Sequence, residues 1–258
     1  MRAVWLNGAL VEPSDAAVSI DSVAVRFGEG LFETMRGVGA TVPRLADHLA
    51  RMCRSADALG IPIAPRAELE TAVATAVNAC PAPHQRVRLT AAPGLVLAEA
   101  TKATSIAGGP GAAVAVVVPS TWFPGRAIAE HKTLSYGGYR YAARRAEAAG
   151  AAVALLADQA GRLGEADIGN LFAAIDGELM TPPVEGLLPG IARATLLAGG
   201  LARESHLTPE AMAAATELFM TNSVRGVTAL TDTAGARWAR DAPGPKAREA
   251  HRELAQVN

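Results

Sequence analysis

Twenty-four basic residues include only three lysines, Lys102, Lys132 and Lys246, the rest being arginine. Chemistry that needs a primary amine therefore has three side-chain candidates. Lys132 has the most unusual setting: His131-Lys132-Thr133 follows the turn-rich run from Pro119 to Arg126, where two halves of the chain would meet. A lysine amine attacks carbonyls and, once neutral, accepts protons, which near pH 7 requires a folded pocket that lowers its pKa. The second unusual stretch is Gly161-Arg162-Leu163-Gly164-Glu165, an acid set in a turn between two apolar strands, with Asn170 opening the second. Alone, either residue reads as a solvated side chain.

Other chemistries lack their residues. Gly28-Glu29-Gly30 begins like a dinucleotide loop but has no third glycine, and no suitable ribose-binding acid follows it. No lysine follows a phosphate-binding glycine loop, and Gly-x-Ser-x-Gly is absent. His48, His84, His131, His206 and His251 form no metal-ligand spacing, so no metal is expected. Cys53 and Cys80 suggest neither a disulfide framework nor a zinc site.

The 258 residues fit one large domain or two small ones. Half are hydrophobic and 19% charged, which excludes wholesale disorder. A formal charge of −1 gives no field for holding nucleic acid or anionic lipid. No apolar run approaches membrane-spanning length, and the N-terminus meets a turn at Asn7-Gly8 where a signal peptide would still be apolar. A cytoplasmic, globular protein is expected.

Asn7-Gly8 predicts a hairpin between Val4–Leu6 and Ala9–Val11. A second hairpin is expected between Leu31–Arg36 and Thr41–Arg44. Helices are predicted near Leu45–Leu59, with Leu45, Leu49, Met52, Ala56 and Leu59 on one stripe, and near Arg66–Cys80. Short strands follow at Arg86–Thr90 and Val114–Val118. After the turn-rich run come a helix near Gly138–Ala149 and strands at Val153–Leu156, Leu171–Ile175, Leu179–Thr181 and Glu217–Asn222. Helices are predicted near Ile191–Ala202 and after Thr208-Pro209-Glu210, and a polar tail after Asp241. Frequent hairpins favour an α+β or mixed α/β fold over a doubly wound parallel sheet. The expected division is a domain over 1–119, a linker over 120–126 and a domain over 127–258.

Nearly the whole chain resembles the fold-type IV, pyridoxal-phosphate-dependent enzymes, the class-IV aminotransferases. The resemblance rests on Phe27-Gly28-Glu29-Gly30-Leu31-Phe32-Glu33, on His48-Leu49-Ala50-Arg51-Met52 with Ser55-Ala56, and on His131-Lys132-Thr133. It continues through Glu165 before Asn170-Leu171-Phe172, Thr181-Pro182, Leu188-Pro189-Gly190-Ile191-Ala192-Arg193 and Thr221-Asn222-Ser223. It implies two domains of the D-amino-acid aminotransferase type, with pyridoxal 5'-phosphate at their interface, and a homodimer. Lys132 would form the Schiff base and move protons at the substrate carbon. Glu165 would keep the pyridine nitrogen protonated. Arg51, the backbone amides of Ile191 and Ala192, and Ser223 beside Asn222 would hold the phosphate, and Tyr136 would reach the phenolic oxygen. Periodicity alone disagrees about Arg51, which lies roughly 120° from the centre of its helix's apolar stripe and reads as solvated.

The resemblance leaves the reaction open, since one fold serves several. The Arg-x-His carboxylate trap of the D-amino-acid enzymes is missing after Thr90, and Asn222-Ser223 replaces the Gly-Thr-Ala of the branched-chain enzymes. With the short length and Phe32-Glu33-Thr34-Met35-Arg36, this resembles aminodeoxychorismate lyase, which releases pyruvate to give 4-aminobenzoate for folate synthesis. The alternative is an aminotransferase acting on branched-chain or other small amino acids. A third is a catalytically idle relative that only binds. Thr34, Arg26 and Arg140 are the candidate substrate contacts.

Overall fold

A computed structural model describes residues 2–103, 111–119, 126–232 and 243–256. The chain divides into two compact units. One contains residues 1–105 with 131–136, the other 106–130 with 137–258.

The first unit is a five-stranded antiparallel sheet with two helices on one face. Its elements are β1 (Arg2–Leu6), β2 (Ala9–Val11), α1 (Val23–Phe27), β3 (Leu31–Val38), α2 (Leu45–Leu59), α3 (Arg66–Asn78), β4 (His84–Ala92) and β5 (Leu95–Lys102). The strand order is β2-β1-β5-β4-β3. Asn7 and Gly8 both take positive φ, 44° and 102°, as the Asn-Gly turn between β1 and β2 requires. The expected second hairpin does not form. β3 pairs along its whole length with β4, from Leu31↔Ala91 to Val38↔His84. Thr41 keeps only an isolated bridge to Val38, and Arg44, at φ 61°, turns the chain into α2.

Alternation along the strands separates two faces. Leu31, Met35, Val87, Leu89, Ala91, Ala98 and Ala100 meet Leu49, Met52, Leu69, Val73 and Val77 of α2 and α3 in one core. The opposite face carries Phe32, Thr34 and Arg36 on β3, paired in register with Thr90, Arg88 and Arg86 on β4.

In the second unit, β6 (Gly111–Pro119), β7 (Val153–Ala157), β8 (Leu163–Ala166), β9 (Gly169–Ile175), β12 (Ala215–Asn222) and β13 (Gly226–Asp232) form a closed ring. The order β9-β12-β13-β6-β7-β8 closes where β8 pairs back to β9. Inward-pointing Val153, Leu155, Leu171, Ala173, Leu218, Met220 and Leu230 fill the ring. β10 (Glu178–Thr181) and β11 (Arg203–Glu204) extend the sheet beyond β9. Around it lie α4 (Arg126–Ala129), α5 (Gly137–Ala148), α6 (Ile191–Ala198), α7 (Pro209–Ala213) and α8 (Pro245–Gln256).

α5 covers Ala154, Leu156 and Val118. α6 and α8 cover Phe172 and Phe219, whose rings stack at 5.3 Å between centroids. α6 stops at Gly199-Gly200, short of the expected Ala202, because Gly200 turns the chain at φ 69°. The mixed α+β fold expected from the sequence is present. The strand over 111–119, assigned from the sequence to the first 119 residues, instead finds parallel partners in β13 and β7. The segment 131–136 groups with the first unit. Of the expected linker over 120–126, all but Arg126 lies outside the described residues.

Candidate active site

Lys132 is held against the edge strand of the first unit. The Phe32 N–H donates to the Lys132 carbonyl at 2.9 Å, the Leu134 N–H donates to the Gly30 carbonyl at 2.9 Å, and Thr133 bridges Leu31. Gly30 permits this approach, since a Cβ there would stand 2.8 Å from both Ala92 and Leu134. The Lys132 amine lies 4.4 Å from the Phe32 ring centroid and 5.7 Å from that of Tyr136. The two rings meet edge to face at 5.3 Å. Tyr136 thus stands beside Lys132. The Arg88 guanidinium lies 3.9 Å from the Phe32 centroid, and burial pulls its pKa down. Arg88 pairs in register with Thr34 on one side and Glu99 on the other. Sequence inspection missed Arg88, because only the register shows which face of β4 it occupies.

Arg51 is buried, not solvated. His48, Arg51 and Ser55 form a polar stripe on α2 beside the apolar one formed by Leu49, Met52 and Ala56. Their partners explain the burial. Arg51 donates to Glu33 from Nε at 2.8 Å and from Nη2 at 2.6 Å, His48 Nδ1 meets Glu33 at 2.7 Å, and His131 Nδ1 lies 3.0 Å from the Ser55 hydroxyl. Burial alone would raise the Glu33 pKa, but the Arg51 charge and the hydrogen bonds from His48 and Arg51 pull it down to about 2. Its folded pKa lies below the unfolded value of 4.5, so its contribution to stability is complete above 4.5 and lost as pH falls toward 2. Urea midpoints at pH 7 and pH 3 should therefore converge in E33Q relative to the parent protein.

In the second unit one cross-strand row carries Glu165 on β8, Asn170 on β9 and Thr221 on β12. Glu165 is buried. The Tyr139 hydroxyl donates to its Oε1 at 2.6 Å, and the Leu188 N–H approaches Oε2 at 3.4 Å. Asn170 donates to the Leu188 carbonyl at 2.8 Å and so fixes the loop leading into α6. Gly190 precedes that helix, and a Cβ there would meet the Asn170 carboxamide at 1.8 Å. No side chain caps α6, although Thr208 caps α7. The Ile191 and Ala192 amides therefore lie in an uncapped first turn, where backbone N–H groups and the helix dipole favour an anion. The Thr221 hydroxyl is buried without a hydrogen-bond partner. Glu165 and Thr221 are two strand spacings apart, about 9.6 Å. That is the scale of a substituted pyridine with a phosphomethyl arm, so the donor set fits pyridoxal phosphate. Tyr139 was not singled out from the sequence, and Thr221 stood there only as part of a motif, without a role.

The Asn222 side chain is engaged within its own turn. Its carboxamide oxygen accepts from the Val224 and Arg225 N–H groups at 3.1 and 2.8 Å, and its nitrogen donates to the Ile168 carbonyl at 3.2 Å. The side chain shapes the turn between β12 and β13, where Ser223 sits half-buried. Arg26 is exposed at the end of α1, its guanidinium 5.6 Å from the Phe27 ring. Arg140 is exposed on α5 in the second unit, where its charge offsets part of the burial that raises the Asp167 pKa. Among the described residues no cluster of potential metal ligands occurs, and no helix is long and apolar enough to cross a membrane.

The model of the family "amino-transferase class IV" matches residues 30–232. A Methanocaldococcus jannaschii protein assigned as a branched-chain-amino-acid aminotransferase is 28% identical over 246 residues, 85% of this chain and 84% of that one. D-alanine aminotransferase of Staphylococcus aureus is 34% identical over 61 residues, 24% of this chain and 22% of that one. The structure of branched-chain aminotransferase from Thermoproteus uzoniensis with norvaline superposes with a TM-score of 0.83 at 26% identity, covering 98% of this chain and 93% of that one. The chain belongs to the class-IV aminotransferases, pyridoxal-phosphate-dependent enzymes of fold type IV.

Proposed function

We propose that this protein transfers amino groups between branched-chain or other small amino acids and 2-oxo acids. One observation carries the reading: the Lys132 amine and the Arg88 guanidinium share the Phe32 ring, at 4.4 and 3.9 Å from its centroid. An amine-handling group and a carboxylate-binding group on one aromatic wall suit an amino acid. Similarity to the M. jannaschii protein over 85% of this chain and 84% of that one supports the same reading.

Bound pyridoxal phosphate supplies an aldehyde that condenses with amines and a ring that spreads the electron pair left on the substrate carbon. Lys132 would anchor that aldehyde through its amine and, once freed by the incoming amine, would hold and move the proton at the substrate carbon. In the second unit Glu165 would keep the ring nitrogen protonated, and the first turn of α6, Thr221 and Ser223 would offer donors to the phosphate. In the first, Tyr136 would donate to the phenolic oxygen and Arg51 would supply a guanidinium for the phosphate. Phe32 and Tyr136 wall off water, while Arg88 orients the substrate by its carboxylate. Exposed Ile20, Val25 and Phe27 on the first unit support a homodimer, to be checked by light scattering.

The lyase reading has less support, because the similar proteins named above are aminotransferases. Spectra of the cofactor-loaded protein mixed with D- and L-amino acids test the proposal. Valine, leucine or isoleucine should convert the cofactor to its amine form. Pyruvate release from aminodeoxychorismate without a 2-oxo acid, with no response to amino acids, would overturn it. Replacing Arg88 with leucine should raise KM for the amino acid about 10- to 100-fold, the loss of a charge-assisted bidentate contact. Cofactor affinity should stay unchanged.

A further inference from the structure

Glu33 takes no part in the chemistry above, yet it is the least expected residue of the first core. It is 1% exposed, shares a strand face with Leu31 and Met35, and sits opposite Leu89 in register. A carboxylate there is costly unless paired, and a buried ion pair is often no more stable than apolar side chains of the same volume. Packing alone does not account for it. Glu33 does, however, fix the plane of one guanidinium: it accepts from both Nε and Nη2 of Arg51. His48, one turn earlier on α2, pins the Oε2 atom that also accepts from Nη2. A long, rotamer-rich side chain is thereby immobilised before any ligand arrives.

We propose that Glu33, braced by His48, is a positioning residue for the cofactor's phosphate, holding Arg51 in its anion-binding orientation. This rests on the reading of Arg51 as a phosphate contact. The same helix anchors the lysine segment through Ser55 and His131, so one rigid element sets both the phosphate contact and the Lys132 segment.

Orientation and charge act in opposite directions here, which makes the test decisive. If Glu33 merely neutralised Arg51, removing its charge would tighten phosphate binding. If it orients Arg51, removal loosens it. Dissociation constants of pyridoxal phosphate and of phosphate-free pyridoxal are measured by absorbance on the full-length apoprotein, together with thermal midpoints. The ratio of the two constants isolates the phosphate contact. E33Q should weaken pyridoxal phosphate about tenfold and leave pyridoxal unchanged. H48Q, which keeps the Glu33–Arg51 pair, should weaken it roughly threefold by the same selectivity, and it decides the matter if E33Q does not fold. An unchanged or tighter pyridoxal phosphate constant in E33Q, or in H48Q where only that folds, overturns the proposal. R51M separates the two levels. If it fails to weaken pyridoxal phosphate selectively, the phosphate role of Arg51 is wrong, whereas selective weakening in R51M alone rejects only the role of Glu33.

Discussion

Replacing Lys132 with alanine should lower transamination by at least ~10⁴-fold, because in the proposed reaction one amine would serve as covalent anchor and as proton carrier. The fold should survive. Lys132 is attached to β3 through backbone atoms, its carbonyl accepting from the Phe32 N–H and its neighbour Thr133 bridging Leu31. Neither contact involves the side chain. Loss of activity with an unchanged thermal midpoint is therefore the expected pair of results. The visible band of the cofactor-loaded protein should shift as well, since the lysine no longer engages the aldehyde. Ethylamine added to the variant should restore part of the rate, supplying a mobile base where the tethered one is gone. Unchanged activity would defeat the assignment of Lys132 as the reacting amine. No other lysine can substitute: Lys102 ends β5, exposed, and Lys246 pairs with Glu249 on α8.

What the sequence disclosed depended on how local the signal was. The Asn7-Gly8 turn and α2 are written in adjacent residues or a single helical repeat, and both formed as expected. α8 escaped notice because Ala247, Ala250, His251 and Leu254, its buried stripe, include only one large apolar residue. The hairpin at Thr41–Arg44 looked sound locally, but β4 offers β3 eight register pairs against one.

Site residues obey the same rule. Lys132 and Glu165 stood out by rarity and context. Arg51 did not, because a helical wheel treats every polar residue as solvated, and its burial depends on Glu33, eighteen positions away on another element. Thr221 and Arg88 needed strand register to show what they face. Asn222 drew attention as a family-level substitution, and its side chain hydrogen-bonds to the second and third residues that follow and to Ile168, contacts that only the folded turn shows.

Replacing Glu165 with glutamine should slow proton abstraction by about 10²- to 10³-fold while changing cofactor affinity far less. Glutamine has the same shape and can still accept from the Tyr139 hydroxyl at the Oε1 position, so the row with Asn170 and Thr221 should persist. Only the charge disappears. In this buried setting a carboxylate stabilises a protonated ring nitrogen far better than an amide does, and the protonated ring is what accepts the substrate's electron pair. The proposed phosphate donors of this unit lie elsewhere, at α6 and the end of β12, so binding should hold. Single-turnover rates with deuterated and protiated leucine separate the outcomes. A large isotope effect with a slow rate places the loss at proton removal, as expected. A slow rate without an isotope effect, together with weaker cofactor binding, would mean that Glu165 holds the cofactor and leaves its electronics alone.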